Sequence, residues 1–227
     1  MSKKLFVVGT GTDVGKTYVT GLILKKLCDS RKNAAYFKAA MSGNQRDVDE
    51  ELIPGDALSV KLVSKVEQPL EKMCPYVYEY ACSPHLAALL EKKPVEMQVI
   101  KNAYEELCKR YDYITLEGVG GVICPFRFDD KQFWQEDVIK DFNAPCILVA
   151  DAGLGTINAV GLTVAYMQMR NIVVKGIIFN NFHTGSMLDE DNLRMCETIT
   201  GLQVIACVSQ GDDELSIDVD VLASLYE

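Results

Sequence analysis

LFVVGTGTDVGKT, residues 5–17, runs from an apolar, β-branched segment through a glycine-rich turn to a lysine followed by a threonine. That order predicts a strand feeding a phosphate-binding loop, with a helix opening at its far end. Backbone N–H groups and the helix N-terminus face the phosphates, the lysine reaches the outer ones, and the threonine hydroxyl can ligate Mg²⁺. The spacing is irregular. The usual GxxxxGK[ST] pattern would put its first glycine at position 10, which is Thr10, whereas Gly9 lies one residue further back. A glycine turn that only caps a helix explains GTG but leaves Gly15, Lys16 and Thr17 unexplained.

Outward from this loop, short apolar runs alternate with helical patterns. Strands are predicted over 5–9, 34–39, 113–118, 145–151, 176–181 and 204–208, and helices over 15–29, 84–92, 95–110, 156–170 and 189–200. Strands apolar on both faces and separated by helices imply a parallel sheet covered on both sides. The predicted fold is a single-domain, doubly wound α/β structure of the P-loop NTPase kind, with a mainly parallel sheet flanked by helices over residues 1–227. The polar, acidic stretch from Ser42 to Pro54 reads as a solvated loop. Ligands in this architecture sit beyond the carboxyl ends of the strands, so the residues there are the first candidates for function.

Composition narrows the function. A net charge of −9 argues against the basic surface that nucleic acid requires. No apolar run is long enough to span a bilayer, and MSKK leads straight into strand-like sequence without a secretory signal, so no membrane association and a cytoplasmic location are expected. The eight cysteines are scattered, without CxxC or a histidine pair in ligand spacing, and read as reduced core thiols. His85 and His183 are expected to be structural and Trp134 to pack.

Further strand-end motifs follow the loop: FKAAMSG (37–43), GDAL (55–58), TLEGVGG (115–121) and IFNN (178–181), with CSPHLAAL (82–89) between the second and third. In order and spacing this set resembles the dethiobiotin synthetases, ATP-dependent carboxylases of biotin synthesis, whose phosphate loop carries the same extra residue before GKT. The resemblance runs from residue 5 to about 181 and is vague in the last forty residues. It implies that 7,8-diaminononanoate takes up CO₂ on one amine as a carbamate, that ATP phosphorylates the carbamate, and that the second amine closes the ring with loss of phosphate. Mg²⁺ and cationic side chains along the phosphoryl path are then required.

Carried over by resemblance, Lys38 is the catalytic lysine beside the carbamate, acting with Lys16. An ammonium there would stabilise carbamate and phosphoryl oxygens, and a neutral amine would accept a proton; the sequence leaves both open. Ser42 is expected to hydrogen-bond the diamine. Ala39 stands where the family usually has proline, which removes a fixed φ from that loop. Thr17, Asp56 and Glu117 would make the magnesium site, hard oxygen donors completed by water. Only the resemblance selects Asp56 among its acidic neighbours. Glu117 also has support from its place, since a carboxylate ending a buried strand needs a cationic partner. Gly118, Val119 and Gly120 follow it, the glycines allowing close approach of backbone to ligand. With Asp13, Val14, Gly15 and Tyr18 of the loop they are assigned to the nucleotide, as are Asn180 and Asn181. Asn180 resembles the asparagine that reads the adenine edge; a turn or cap is its alternative role.

DAGLGTIN (151–158) offers accessible N–H groups at a helix N-terminus, a place for an anion. In the family resembled here this segment of a neighbouring subunit holds the diamine's carboxylate, which implies a homodimer with Gly155, Thr156, Ile157 and Asn158 completing the partner's site. Two other readings compete. One is an ATP-dependent amidoligase, for which the chain is short. The other is a ParA- or MinD-type switch ATPase, whose additional lysine would fall at Gly11.

Overall fold

Along Lys3–Gly9, the first strand (β1), Leu5 and Val7 point to one face of the sheet and Phe6 and Val8 to the other, and all four are buried. A strand buried on both faces must lie inside a sheet covered on both sides. The computed structural model describes residues 2–227. Its elements run β1, α1 (Lys16–Asp29), β2 (Ala34–Lys38), α2 (Gly55–Ser64), α3 (Pro84–Leu90), α4 (Met97–Cys108), β3 (Tyr113–Gly121), β4 (Pro125–Phe128), β5 (Gln132–Trp134), α5 (Gln135–Asp141), β6 (Cys146–Asp151), α6 (Thr156–Met169), β7 (Val174–Asn180), α7 (Met187–Thr200), β8 (Val204–Val208) and α8 (Val219–Ser224).

Six strands form one sheet in the order β2-β3-β1-β6-β7-β8, every pairing parallel. From β1 the chain moves outward to β2, returns to β3, then crosses to β6 on the other flank. The change of direction leaves a crevice at the carboxyl end of β1. One face packs Phe6, Phe37, Leu116, Leu148 and Phe179 against Ile100 of α4, Val138 of α5 and Val160 and Val164 of α6. The other packs Leu5, Val7, Ile147 and Val149 against Leu22 and Ile23 of α1, Val60 of α2 and Leu222 of α8. Burying each such side chain contributes roughly 1.5–3 kcal/mol, so the two layers together drive the fold.

The predicted strands and helices all form, with ends shifted by a few residues. Further features lie outside those expectations, among them α2, the antiparallel β4–β5 hairpin, α5 and α8. Short helices carry little periodic signal, and their ends are set by local contacts. Asp218 caps α8 by accepting from the N–H groups of Asp220 and Val221, and the Asp137 carboxylate accepts from the Trp134 N–H at the start of α5. No disulfide forms among the described residues, and all eight cysteines are free thiols. Among the described residues no helix is long and apolar enough to cross a membrane. His85 meets the Ser83 hydroxyl and His183 the Asp189 carboxylate. Trp134 stands edge-on to Phe128.

Candidate active site

The phosphate loop begins where β1 ends, and Gly9 explains its irregular spacing. A Cβ at position 9 would come within 2.8 Å of the Lys16 side chain and 2.9 Å of the Gly11 carbonyl, so glycine is needed there. Lys16 folds back over the turn, and its Nζ donates to the Gly11 carbonyl at 2.6 Å. The N–H groups of residues 11–15 donate to no protein acceptor among the described residues and remain available to an anion. Gly15 caps α1 at a φ of 90°, and a Cβ there would lie 2.1 Å from the Asn180 amide nitrogen. Asn180 is buried, and its Nδ2 donates to the Val14 carbonyl at 3.2 Å. Its side chain therefore braces the loop from β7, whatever it offers a base. Asn181 donates to Asp151 at 2.7 Å.

A cleft of about 500 Å³ opens over this loop. Its wall brings together Asp13, Gly15, Lys16, Thr17, Tyr18, Lys38, Ser42, Asp56, Glu117, Val119 and Gly120. Lys38 and Glu117 are register partners on β2 and β3. The Lys38 ammonium lies 2.6 Å from Glu117 Oε1 and 2.5 Å from Asp56 Oδ2. Thr17 donates to the same Glu117 oxygen at 2.8 Å, and Tyr36 donates to Oε2 at 3.0 Å. Burial disfavours the charged form of Lys38, but the Glu117 and Asp56 carboxylates outweigh it and hold the pKa above the usual lysine range. Lys38 is therefore an ammonium. Lys16 behaves in the opposite way: burial, reinforced by the Lys38 charge, lowers its pKa to about 8.

This difference has a measurable consequence. A polyphosphate beside Lys16 favours its charged form, so above pH 8 nucleotide binding must take up a proton. ADP affinity is expected to be level below about pH 8 and to fall with rising pH above it, approaching tenfold per pH unit. Calorimetry in buffers of different ionisation enthalpy measures the proton uptake directly. An affinity independent of pH between 7 and 9.5 would refute this account of Lys16.

Asp56 occupies the first turn of α2, and the start of that helix is placed by Asn44, a residue the motifs do not single out. The buried Asn44 amide accepts from the Gly55 N–H at 2.9 Å and donates to the Tyr78 carbonyl at 2.8 Å. The loop from Ala39 to Asn44 does not depend on the missing proline. Met41 exchanges backbone bonds with Tyr76 and Tyr78 at 2.8 Å, and Gly43 donates to Tyr80 at 3.1 Å, so a neighbouring segment supplies the rigidity. Ser42 gives its proton to the Cys82 carbonyl at 2.6 Å. What it can offer a ligand is an acceptor, which suits an amine.

Gln135 is another residue without a sequence signal. Fully buried at the start of α5, it accepts from the Val119 N–H at 2.5 Å and donates to the Gly121 carbonyl at 3.1 Å, holding the glycine turn after Glu117. A Cβ on Gly118 would meet that amide at 2.8 Å. Gly155, Thr156, Ile157 and Asn158 open α6 beyond β6 and do not line the cleft of their own chain. Gly155 has a φ of 92° with open space where a Cβ would point, and the buried Thr156 hydroxyl has no partner.

Solved structures share this architecture: MinD of Aquifex aeolicus in its MinC:MinD complex, with a TM-score of 0.55 at 13% identity over 92% of this chain and 82% of that one, and a ParA family ATPase from Chlorobium tepidum, with 0.55 at 12% over 93% and 85%. At such identity the likeness is one of fold. A family model described as an AAA domain matches residues 3–214. Sequence similarity is much stronger elsewhere. The chain is 43% identical to the ATP-dependent dethiobiotin synthetase BioD of Brachyspira hyodysenteriae over the full length of both. It is 40% identical to that of Clostridium perfringens over 98% of this chain and 97% of the relative. With likeness of this order spanning every strand end of the cleft, the chain belongs to the ATP-dependent dethiobiotin synthetase family of ligase-type enzymes.

Proposed function

We propose that this protein carboxylates 7,8-diaminononanoate and closes its ureido ring at the expense of ATP, releasing dethiobiotin, ADP and phosphate. The observation that carries the reading is the meeting of Lys38, Glu117, Asp56 and Thr17 within hydrogen-bonding distance beside Lys16. One amine of the substrate attacks CO₂ and loses a proton, giving a carbamate. A carbamate oxygen then attacks the γ-phosphorus, ADP departs, and a carbamic-phosphoric anhydride forms. The second amine attacks its carbonyl carbon, and phosphate leaves as the ring closes.

Each side chain has a part in this sequence. The loop N–H groups and Lys16 hold the phosphates and stabilise charge building on the leaving ADP. Asp13, Val14, Tyr18 and the turn Gly118–Gly120 shape the nucleotide's bed, with Asn180 and Asn181 behind it at the base end. Lys38, as an ammonium, stabilises the carbamate and the transferring phosphoryl oxygens. Ser42 accepts a hydrogen bond from the diamine. The Asp56 and Glu117 carboxylates are hard donors already gathered about one cation, the Lys38 ammonium, and the Thr17 hydroxyl meets the same Glu117 oxygen, so the three suit Mg²⁺. Among the described residues no group of three or more His, Cys, Asp or Glu gathers as a metal site, so water and phosphate oxygens would complete the coordination. Bound there, Mg²⁺ neutralises the negative charge shared by the β- and γ-phosphates.

Incubating the protein with MgATP, bicarbonate and diaminononanoate, with dethiobiotin read by mass spectrometry, tests the proposal. ADP release must depend on the diamine. Hydrolysis indifferent to it would overturn the reading and favour a switch ATPase, although Gly11 stands where that class carries its additional lysine.

We further propose that the site is shared in a homodimer, with Gly155–Asn158 of one subunit receiving the substrate carboxylate of the other. Leu154, Leu162 and Met169, on and just before α6, are strongly exposed apolar side chains, which favours a covered face there. Subunits carrying Lys38→Ala and subunits carrying Gly155→Trp are each expected to be inactive. Mixed after exchange, they should recover up to about a quarter of the parental activity, because a mixed dimer restores one of its two sites. Confirmed exchange without recovered activity would eliminate the shared site.

A further inference from the structure

Glu117 is held by more than its two partners in the cleft. Its side chain is fully buried, and Oε1 takes the hydrogen bonds from Thr17 and Lys38. The remaining oxygen, Oε2, would be a buried anionic atom without a donor were it not for Tyr36, whose hydroxyl lies 3.0 Å away. An unsatisfied buried carboxylate oxygen is expensive, and relief would come from rotating the carboxylate, which spoils it as a metal ligand.

Tyr36 is built to avoid this. It sits two residues before Lys38 on β2, hence on the same face of the sheet, and opposite Thr115, two residues before Glu117 on β3. The phenol thus reaches diagonally beneath the Lys38–Glu117 pair. β2 is the outer strand of the sheet, and at Tyr36 its free edge is clamped by a buried amide. Gln68 Oε1 accepts from the Tyr36 N–H at 2.8 Å, and Gln68 Nε2 donates to the Tyr36 carbonyl at 2.9 Å. The ring itself is fully buried among Leu5, Val7 and their neighbours. Backbone and ring are therefore both fixed, and the hydroxyl has one task in reach.

We infer that Tyr36 is a positioning residue for the metal: by occupying Glu117 Oε2 from beneath, it turns Oε1 toward Thr17 and the phosphate loop and keeps the carboxylate in one orientation. The inference rests on the proposed magnesium role of Glu117. It extends that role to a side chain that touches neither nucleotide nor substrate.

The test is Mn²⁺ titrated into the protein with saturating ADP and followed by electron paramagnetic resonance, for the parent, Tyr36→Phe, Glu117→Gln and the double variant. Phenylalanine keeps the ring and removes only the donor. Tyr36→Phe is expected to weaken Mn²⁺ binding about ten- to a hundredfold, with ADP affinity in EDTA at the parental value. The same substitution in the Glu117→Gln background is expected to change Mn²⁺ binding by less than about twofold, since the charged acceptor is gone. Mn²⁺ affinity within twofold of the parent in Tyr36→Phe, or an equal loss in both backgrounds, would overturn the inference. If Tyr36→Phe alone is insoluble, a soluble double variant supports the pairing of hydroxyl with carboxylate, and an insoluble one refutes it. A parent that binds Mn²⁺·ADP yet makes no dethiobiotin would count against the proposed reaction and leave this inference standing.

Discussion

Lys38→Ala is expected to lower turnover by about a thousandfold while leaving Mg²⁺·ADP affinity at or above the parental value. On the proposed mechanism, the loss in rate is that of a preorganised charge facing the reacting oxygens. Binding survives because the lysine contacts no part of the phosphate loop: its ammonium is engaged by Glu117 and Asp56. Removing it frees both carboxylates and takes away a cation that would compete with the proposed Mg²⁺ for Glu117 Oε1. Lys16→Ala should behave differently. That side chain lies across the turn of the loop, and its loss is expected to weaken ADP about ten- to a hundredfold as well as abolish turnover. Calorimetric titration of Mg²⁺·ADP into both variants separates the two lysines. If Lys38→Ala loses nucleotide affinity as severely as Lys16→Ala, this division of roles is wrong.

The second large effect is expected at Glu117. Glu117→Ala removes the fully buried partner of Lys38 and leaves the ammonium, itself buried, with only Asp56, whose side chain is 43% exposed. Breaking a buried pair in this way costs about 3–5 kcal/mol of stability. Asp56→Ala should cost less than about 1 kcal/mol, because a half-exposed partner is screened by water and Glu117 remains. Both variants should need more Mg²⁺ for half-maximal activity, Glu117→Ala by far the more. Urea unfolding and magnesium titration of the two variants are the measurements. An unaltered magnesium requirement in Glu117→Ala would remove it from the proposed metal site.

The ordering of these two carboxylates is legible in part from the amino-acid sequence. A carboxylate at the end of a buried strand announces that it needs a cation, and Lys38 at the end of another strand is the kind of residue that supplies one. Their adjacency is not legible there. It depends on β2 and β3 being neighbours, a pairing between segments about eighty residues apart that no local pattern encodes. Asp56 shows the limit more clearly. Among several acidic residues between Asp47 and Asp56, only the family resemblance singles it out. The structure distinguishes it because Asn44 fixes the first turn of α2, so that the carboxylate meets Lys38.

Local sequence determined the strand–loop–helix at the N-terminus, the alternation that buries both faces of the sheet, and the glycines at Gly9 and Gly15. These follow from side-chain periodicity and steric exclusion within a few residues. Tertiary structure alone decided the strand order, which brings the ends of β1, β2 and β3 to one cleft. It also decided the supports of that cleft: Tyr36 beneath Glu117, Gln135 behind the glycine turn, and Asn180 against the phosphate loop. A tyrosine, a glutamine or an asparagine has the same chemistry wherever it stands, and only the partner that folding brings within about 3 Å turns it into a positioning group.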